Sequence, residues 1–260
     1  VIGAIAGDII GSAFEDEGLK TEVFPLFAIY SRPTDDSVLT IATADKLLHG
    51  GSYAAVYRKW ARNYPNAGYG GGFYNWFRDD AAGPYYSFGN GAAMRVSPIG
   101  FLCDTLEEVL AEARKSAEPT HNHPEGVKGA QATAAAVFLA RRGKTKQEIA
   151  EYVTTTFGYT LTESVTEIRK HYEFDVTCQG TVPQALICFL ESQDYEDAVR
   201  KAISLGGDAD TLACITGGIA QAFYGGVPTE IVRKARTMLT TEMLAVLDEF
   251  EGKFKGDTLP

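Results

Sequence analysis

Gly3, Gly7 and Gly11 recur at every fourth position in the opening run Val1-Ile2-Gly3-Ala4-Ile5-Ala6-Gly7-Asp8-Ile9-Ile10-Gly11. Residues four apart share one helix face, so this spacing predicts a helix with three side-chain-free spots in a row. Tight packing of a second helix against that face is the simplest use of such a surface. Asp8, Ser12 and Glu15 lie one helical row over and project beside the bare stripe.

The rest of the chain carries the punctuation of helices and almost no two-residue alternation of the kind that marks strands. Thr145-x-x-Glu148, Thr160-x-x-Glu163 and Thr181-x-x-Gln184 fit the capping box, and Asp104-x-x-Glu107 is a looser version. Gly50-Gly51, Gly143 and Gly158 stand where a helix needs a left-handed terminal residue. These marks predict helices at 36–49, 53–63, 105–117, 127–142, 146–157, 182–192, 195–204, 211–224, 229–239 and 242–252. The expectation is an all-α protein, with residues 1–260 forming one domain. The glycine-rich stretch 64–91 reads as a long loop, a feature that in compact domains usually serves function.

Composition narrows the functional classes. A formal net charge of −10 disfavours a nucleic-acid groove, which rests on clustered lysine and arginine. No apolar run reaches bilayer-spanning length, and residues 1–14 lack the basic leader and clean apolar core of a signal peptide. Cys103, Cys178, Cys188 and Cys214 are widely separated with no C-x-x-C pair, as expected of free buried thiols in a cytoplasmic protein.

Chemistry concentrates at two predicted helix starts. Thr34-Asp35-Asp36-Ser37 precedes the apolar-periodic run from Val38, and Gly207-Asp208-Ala209-Asp210-Thr211 precedes Leu212. Capping alone accounts for one carboxylate at each start. If both starts face one cleft, each close pair of carboxylates repels by ~1–4 kcal/mol near 4 Å, a penalty that divalent cations remove. Carboxylate and hydroxyl oxygens are the hard ligands magnesium prefers, although calcium and manganese share that preference. A magnesium pair there would support metal-assisted hydrolysis. A prenyl-type synthase is disfavoured because Asp35-Asp36 lacks the following acid of D-D-x-x-D, and a D-x-D transferase because Asp208-x-Asp210 opens a helix. His121-x-His123 has no cysteine or third histidine at a zinc-like spacing.

Gly7-Asp8-x-x-Gly11-Ser12-x-x-Glu15, Thr34-Asp35-Asp36-Ser37, Phe88-Gly89-Asn90-Gly91-Ala92-x-Met94-Arg95, Thr120-His121, Gly129-Ala130 and Gly207-Asp208-Ala209-Asp210-Thr211 occur in that order. Together they resemble the motifs of the ADP-ribosylglycohydrolase family. The resemblance implies an all-α fold with a binuclear magnesium site, manganese being a substitute, that cleaves the glycosidic bond between ADP-ribose and a protein or small-molecule acceptor. It implies metal ligation by Thr34, Asp35, Asp36, Asp208, Asp210 and Thr211, with Glu15, Asp36 and Asp210 in catalysis. Asp8 reads as supporting structure. Gly70, Gly71 and Gly72, together with Phe88, Gly89, Asn90, Gly91 and His121, match segments that receive the pyrophosphate and neighbouring ribose; exposed backbone N–H groups suit an anion. Phe73, Tyr74, Tyr85, Tyr86 and Phe88 are candidates to stack on adenine. Residues 159–180, with Glu163, Glu167, Arg169 and His171, are a candidate acceptor rim. A monomer is expected. The alternative is a crystallin-like relative that binds ADP-ribose without turning it over; the intact acidic set opposes it.

Overall fold

The computed structural model describes residues 1–15 and 17–254. Its order is α1 Ile2–Gly11, α2 Asp35–His49, α3 Tyr53–Asn63, α4 Gly71–Arg78, α5 Gly91–Met94, α6 Ser97–Leu102, α7 Leu106–Ala117 and α8 Pro124–Arg141. It continues with α9 Lys146–Phe157, α10 Val165–His171, α11 Cys178–Glu191, α12 Tyr195–Ile203, α13 Ala209–Tyr224, α14 Thr229–Arg236 and α15 Thr241–Phe254. The fold is all-α. Among the described residues the nearest thing to a sheet is one antiparallel bridge, Gly89 to Thr177.

α1 is buried along its whole length, and its most extensive neighbour is α13. The glycine stripe makes that crossing. A Cβ on Gly3, Gly7 or Gly11 would lie 2.6, 2.1 and 2.5 Å from the carbonyl oxygens of Gly217, Ala213 and Ala209. Gly217 answers from the other side, its own missing Cβ pointing within 2.4 Å of the Gly3 oxygen. The two helices therefore meet backbone to backbone. α8 supplies a second central rod, with thirteen buried residues and packing to α6, α7 and α13.

Helix starts follow the sequence closely, with instructive shifts. Thr145 and Glu148 form the expected reciprocal cap of α9. At α7 the cap is Thr105 with Glu108, one residue beyond Asp104-x-x-Glu107: the Thr105 hydroxyl accepts from Glu108 N and the Glu108 carboxylate reaches back to Thr105 N. At α10 the cap is Ser164 with Glu167, so Thr160-x-x-Glu163 opens no helix. Thr181 lies inside α11, which Thr177 caps; the Thr181 hydroxyl donates to the Asp175 carbonyl instead. α8 begins at Pro124, earlier than expected, as proline suits the first helical turn and His123 Nδ1 accepts from Glu125 N.

Three short helices, α4, α5 and α6, lie outside the helices that the sequence marks predict. In α4 the glycine-rich start masks an amphipathic turn whose Phe73, Trp76 and Phe77 are buried. No helix among the described residues is long and apolar enough to cross a membrane, and Cys103, Cys178, Cys188 and Cys214 are free thiols.

Replacing Gly7 with Ala is expected to destabilise the protein by about 1–3 kcal/mol, the range for forcing extra atoms into a packed core. Gly83→Ala, where an added Cβ meets nothing within 4 Å, serves as the near-neutral control in urea denaturation.

Candidate active site

The α1–α13 crossing fixes two carboxylates before any ligand is considered: Asp8 within α1, and Asp210 in the first turn of α13. Asp8 then ties in a third helix. Thr34 N and Ser37 N donate to its Oδ2 at 3.0 and 3.1 Å, Thr34 Oγ1 donates to Oδ1 at 2.5 Å, and Ser37 Oγ donates to Oδ2. Asp8 thus satisfies orphan donors at the start of α2 from across the chain, while Thr34 caps the same helix by accepting from Asp36 N. The start of α2 is anchored by α1, and Asp35 and Asp36 with it.

Two carboxylate groups result. Asp8, Asp36 and Asp210 bring an oxygen each within 4.8 Å of one another, and Glu15, Asp208 and Asp210 do the same, with Asp210 common to both. Thr211 Oγ1 donates to Asp36 Oδ2 at 3.3 Å, spanning the two helix starts. Asn90 Nδ2 donates to Asp208 Oδ2 at 2.7 Å and to Thr181 Oγ1 at 3.1 Å.

So many acids in a confined space resist ionisation. Burial pushes Asp8 up to about 6 despite its hydrogen bonds, which pull the other way. Burial, then the charges of Asp8 and Asp208, push Asp35 up to about 8. Asp36 and Asp210 rise well above the carboxylate range, again through burial first and neighbouring carboxylates second. Asp36 Oδ1 is buried with no hydrogen-bond partner. Oxygen donors, excess negative charge and an orphaned carboxylate oxygen together fit hard divalent cations.

Asp35, Asp36, Asp208 and Asp210, with Asp8 behind them, form the floor of a cavity of about 440 Å3, within the usual range for small-molecule sites. Glu15, Asp35, Asp36, Asp208, Asp210 and Thr211 line it, as do Gly70, Gly71, Gly72, Gly89, Asn90, Gly91 and His121. Gly70 is the N-terminal flank of α4, and a Cβ on Gly72 would press within 2.9 Å of the Tyr85 ring. The Gly89–Gly91 segment is held by the bridge to Thr177 and by Asn90 N donating to the Val176 carbonyl at 2.7 Å.

Of the metal-ligating, catalytic and ligand-binding residues that the resemblance implies, Thr34 and Phe88 lie outside the cavity lining. Thr34 is buried behind it with its hydroxyl committed to Asp8. The Phe88 ring turns outward to His123 at 5.3 Å, while its flanking residues Ser87 and Gly89 line the cavity. Of the aromatic candidates, Phe73 and Tyr85 line the cavity; Tyr74 and Tyr86 do not. The wall built by 159–180 is apolar, from Phe174 and Val176. Glu163, Glu167, Arg169 and His171 turn elsewhere, Glu167 to cap α10 and Arg169 to pair with Glu22. Arg95, fully buried, lines the cavity too. The central place of Asp8 was legible only as an acid beside the glycine stripe; its partners lie 26 and 29 positions away.

The segment after Glu15 is tethered to α10, α12 and their flanks. Lys20 Nζ donates to the Tyr172 and Leu205 carbonyls, Arg169 and Lys201 pair with Glu22, and Arg200 Nη1 donates to the Glu22 and Phe24 carbonyls. Gly206, at φ +68°, allows this approach: a Cβ there would lie 2.7 Å from the Leu19 oxygen.

Comparison with known proteins agrees with this geometry. Residues 1–258 match the ADP-ribosylglycohydrolase family. The ADP-ribosylhydrolase ARH3 of Homo sapiens is 26% identical over 309 aligned residues, covering 86% of this chain and 84% of that protein. The ADP-ribosylarginine hydrolase Tri1 of Pseudomonas putida is 28% identical, covering 90% of this chain and 72% of that one. A solved chain described as an ADP-ribosylglycohydrolase-related protein complex superposes with TM-score 0.69 at 25% identity, covering 94% of each.

Protons and cations compete for these carboxylates. Asp8 and Asp35 hold their protons more tightly folded than at the ordinary value of 3.8. Their contribution to the stability of the metal-free protein is therefore full below 3.8 and is lost as pH rises through about 6 and about 8. Added magnesium or manganese should raise the melting temperature, relative to chelator, much more at pH 8 than at pH 5. Equal increments at both pH values would contradict this.

Proposed function

The chain belongs to the ADP-ribosylglycohydrolase family, and on that premise we propose that it is an ADP-ribosyl hydrolase that uses magnesium to cleave the glycosidic bond joining ADP-ribose to an acceptor. The observation that carries the reading is the pair of carboxylate groups sharing Asp210 on the floor of a cavity walled by glycine backbone. Acid floor and glycine wall suit the two ends of one ligand: a ribose diol held over cations, and a pyrophosphate lying on exposed backbone.

Asp36, Asp208 and Asp210, with Asp35, are the residues that would hold two magnesium ions; Asp8 and Thr211 add oxygens at the Asp36 side. Bound there, the ions would neutralise the acids, orient vicinal hydroxyls and lower the pKa of water. Manganese has the same taste for oxygen.

The chain's own groups supply the rest. Asn90 holds the Asp208 carboxylate in one orientation and leaves its other oxygen toward the floor. Glu15 sits within the Asp208–Asp210 group while also lining the cavity, the place from which a carboxylate can move a proton to or from a glycosidic oxygen or an attacking water. Further along the chain, Lys20 and Glu22 are tied to α10 and its flank. Gly70–Gly72 and Gly89–Gly91 present backbone without side-chain interference, and the aromatic side chains of Tyr85 and Phe174 stand at the cavity wall. The name of the Pseudomonas putida relative makes an arginine linkage the first acceptor to test.

Release of free ADP-ribose from arginine-linked and serine-linked substrates, with magnesium and then with chelator, tests the proposal. Activity on at least one linkage that chelator removes is expected. Asp36→Ala and Asp210→Ala should each lower turnover by about 100-fold or more, on the scale of losing a principal electrostatic element of an active site. Metal-independent release, or full activity in both variants, would overturn the assignment.

A further inference from the structure

Arg95 follows α5 and is fully buried. Its Nη2 donates to the Ser116 carbonyl at 2.8 Å and to Thr120 Oγ1 at 3.0 Å, while the guanidinium lies over the Tyr57 ring at 4.3 Å. Thr120 Oγ1, also fully buried, stands 2.7 Å from His121 Nδ1.

The direction of that last hydrogen bond follows from donor counting. A guanidinium only donates, so Thr120 Oγ1 accepts from Arg95. Its own hydrogen then needs an acceptor, and in this enclosed setting His121 Nδ1 is the one within reach. An Nδ1–H would leave the buried threonine hydroxyl hydrogen without a partner, which a buried donor avoids. Burial, reinforced by the charge of Arg95, also holds the imidazole well below its ordinary pKa, so the ring carries one hydrogen. That hydrogen belongs on Nε2, the atom that faces the Gly89–Gly91 segment, 3.2 Å from where a Gly91 Cβ would stand.

We propose that Arg95 and Thr120 are positioning residues that fix His121 in its Nε2–H tautomer, making it a one-way hydrogen-bond donor from the cavity wall to an oxygen of the ligand. Thr120 supplies the hydrogen that occupies Nδ1, and Arg95 prevents Thr120 from turning it elsewhere. The remaining guanidinium hydrogens on Nε and Nη1 have no partners, which adds fixed positive charge behind the same wall. The wall then favours oxygen acceptors, the atoms a pyrophosphate or ribose presents. The identity of that ligand rests on the proposed function; the tautomer does not.

The test uses the full chain with 15N-labelled histidine. Long-range 1H–15N correlation, with His121 assigned by its loss in His121→Gln, should show a protonated Nε2 and an unprotonated Nδ1 across the neutral range. Thr120→Val keeps the shape and removes the hydroxyl; it should abolish the single tautomer and weaken ADP-ribose binding by roughly tenfold, the scale of one hydrogen bond to a charged group. Thr120→Ser should restore both. A protonated Nδ1 or an imidazolium in the unmodified protein overturns the proposal without reference to any variant. So does Thr120→Val with an unchanged nitrogen pattern. An Nε2–H pattern in a protein that fails to bind ADP-ribose would support the tautomer and count against the functional reading instead.

Discussion

The contact on which everything else depends is the backbone crossing of α1 and α13. Helices that meet through side chains sit roughly 8–10 Å apart and can shift as those side chains repack. Here carbonyl oxygens occupy the places of three missing Cβ atoms, so little remains to repack. Asp8 and Asp210 inherit that rigidity directly, and Asp8 passes it to α2 through donors from Thr34 and Ser37. The carboxylates stay close although they repel, because helix packing sets their separation. Such a site stores unfavourable charge that protons or cations relieve.

This separation between framework and chemistry explains what the sequence made legible. The glycine stripe announced a close helix approach, and the two Asp-rich helix starts announced a charge cluster, because each signal is local. Glu15, Asp35, Asp36, Asp208, Asp210 and Thr211 meet in one cavity, as a shared cleft requires. The central role of Asp8 is set by donors from Thr34 and Ser37 that only the folded chain brings to it. Arg95 appeared as a motif position, but the Thr120–His121 chain beneath it needs three dimensions to be seen.

The boundaries that shifted did so for equally physical reasons. The capping boxes close at 105 and 164 rather than at 104 and 160, where the Glu three residues on reaches back to the N–H of the capping residue. The 64–91 stretch reads as loop from its glycines, yet Phe73, Trp76 and Phe77 bury enough aromatic surface to wind α4 within it. Charged residues in 159–180 suggested a polar rim; burial of the helix face turned them outward and left Phe174 and Val176 at the cavity. Composition alone does not reveal which side of a short segment faces inward.

The tethers on the segment between α1 and α2 carry an entropic consequence. A connection without helix would sample many arrangements, and holding Glu15 at the acids would then have to be done afresh at every encounter with a ligand. Lys20, Glu22 and the Phe24 carbonyl, fastened to carbonyls and cations on and around α10 and α12, spend that conformational freedom once, during folding. Ligand binding then has less chain to order, and more of its free energy is left to tell one ligand from another.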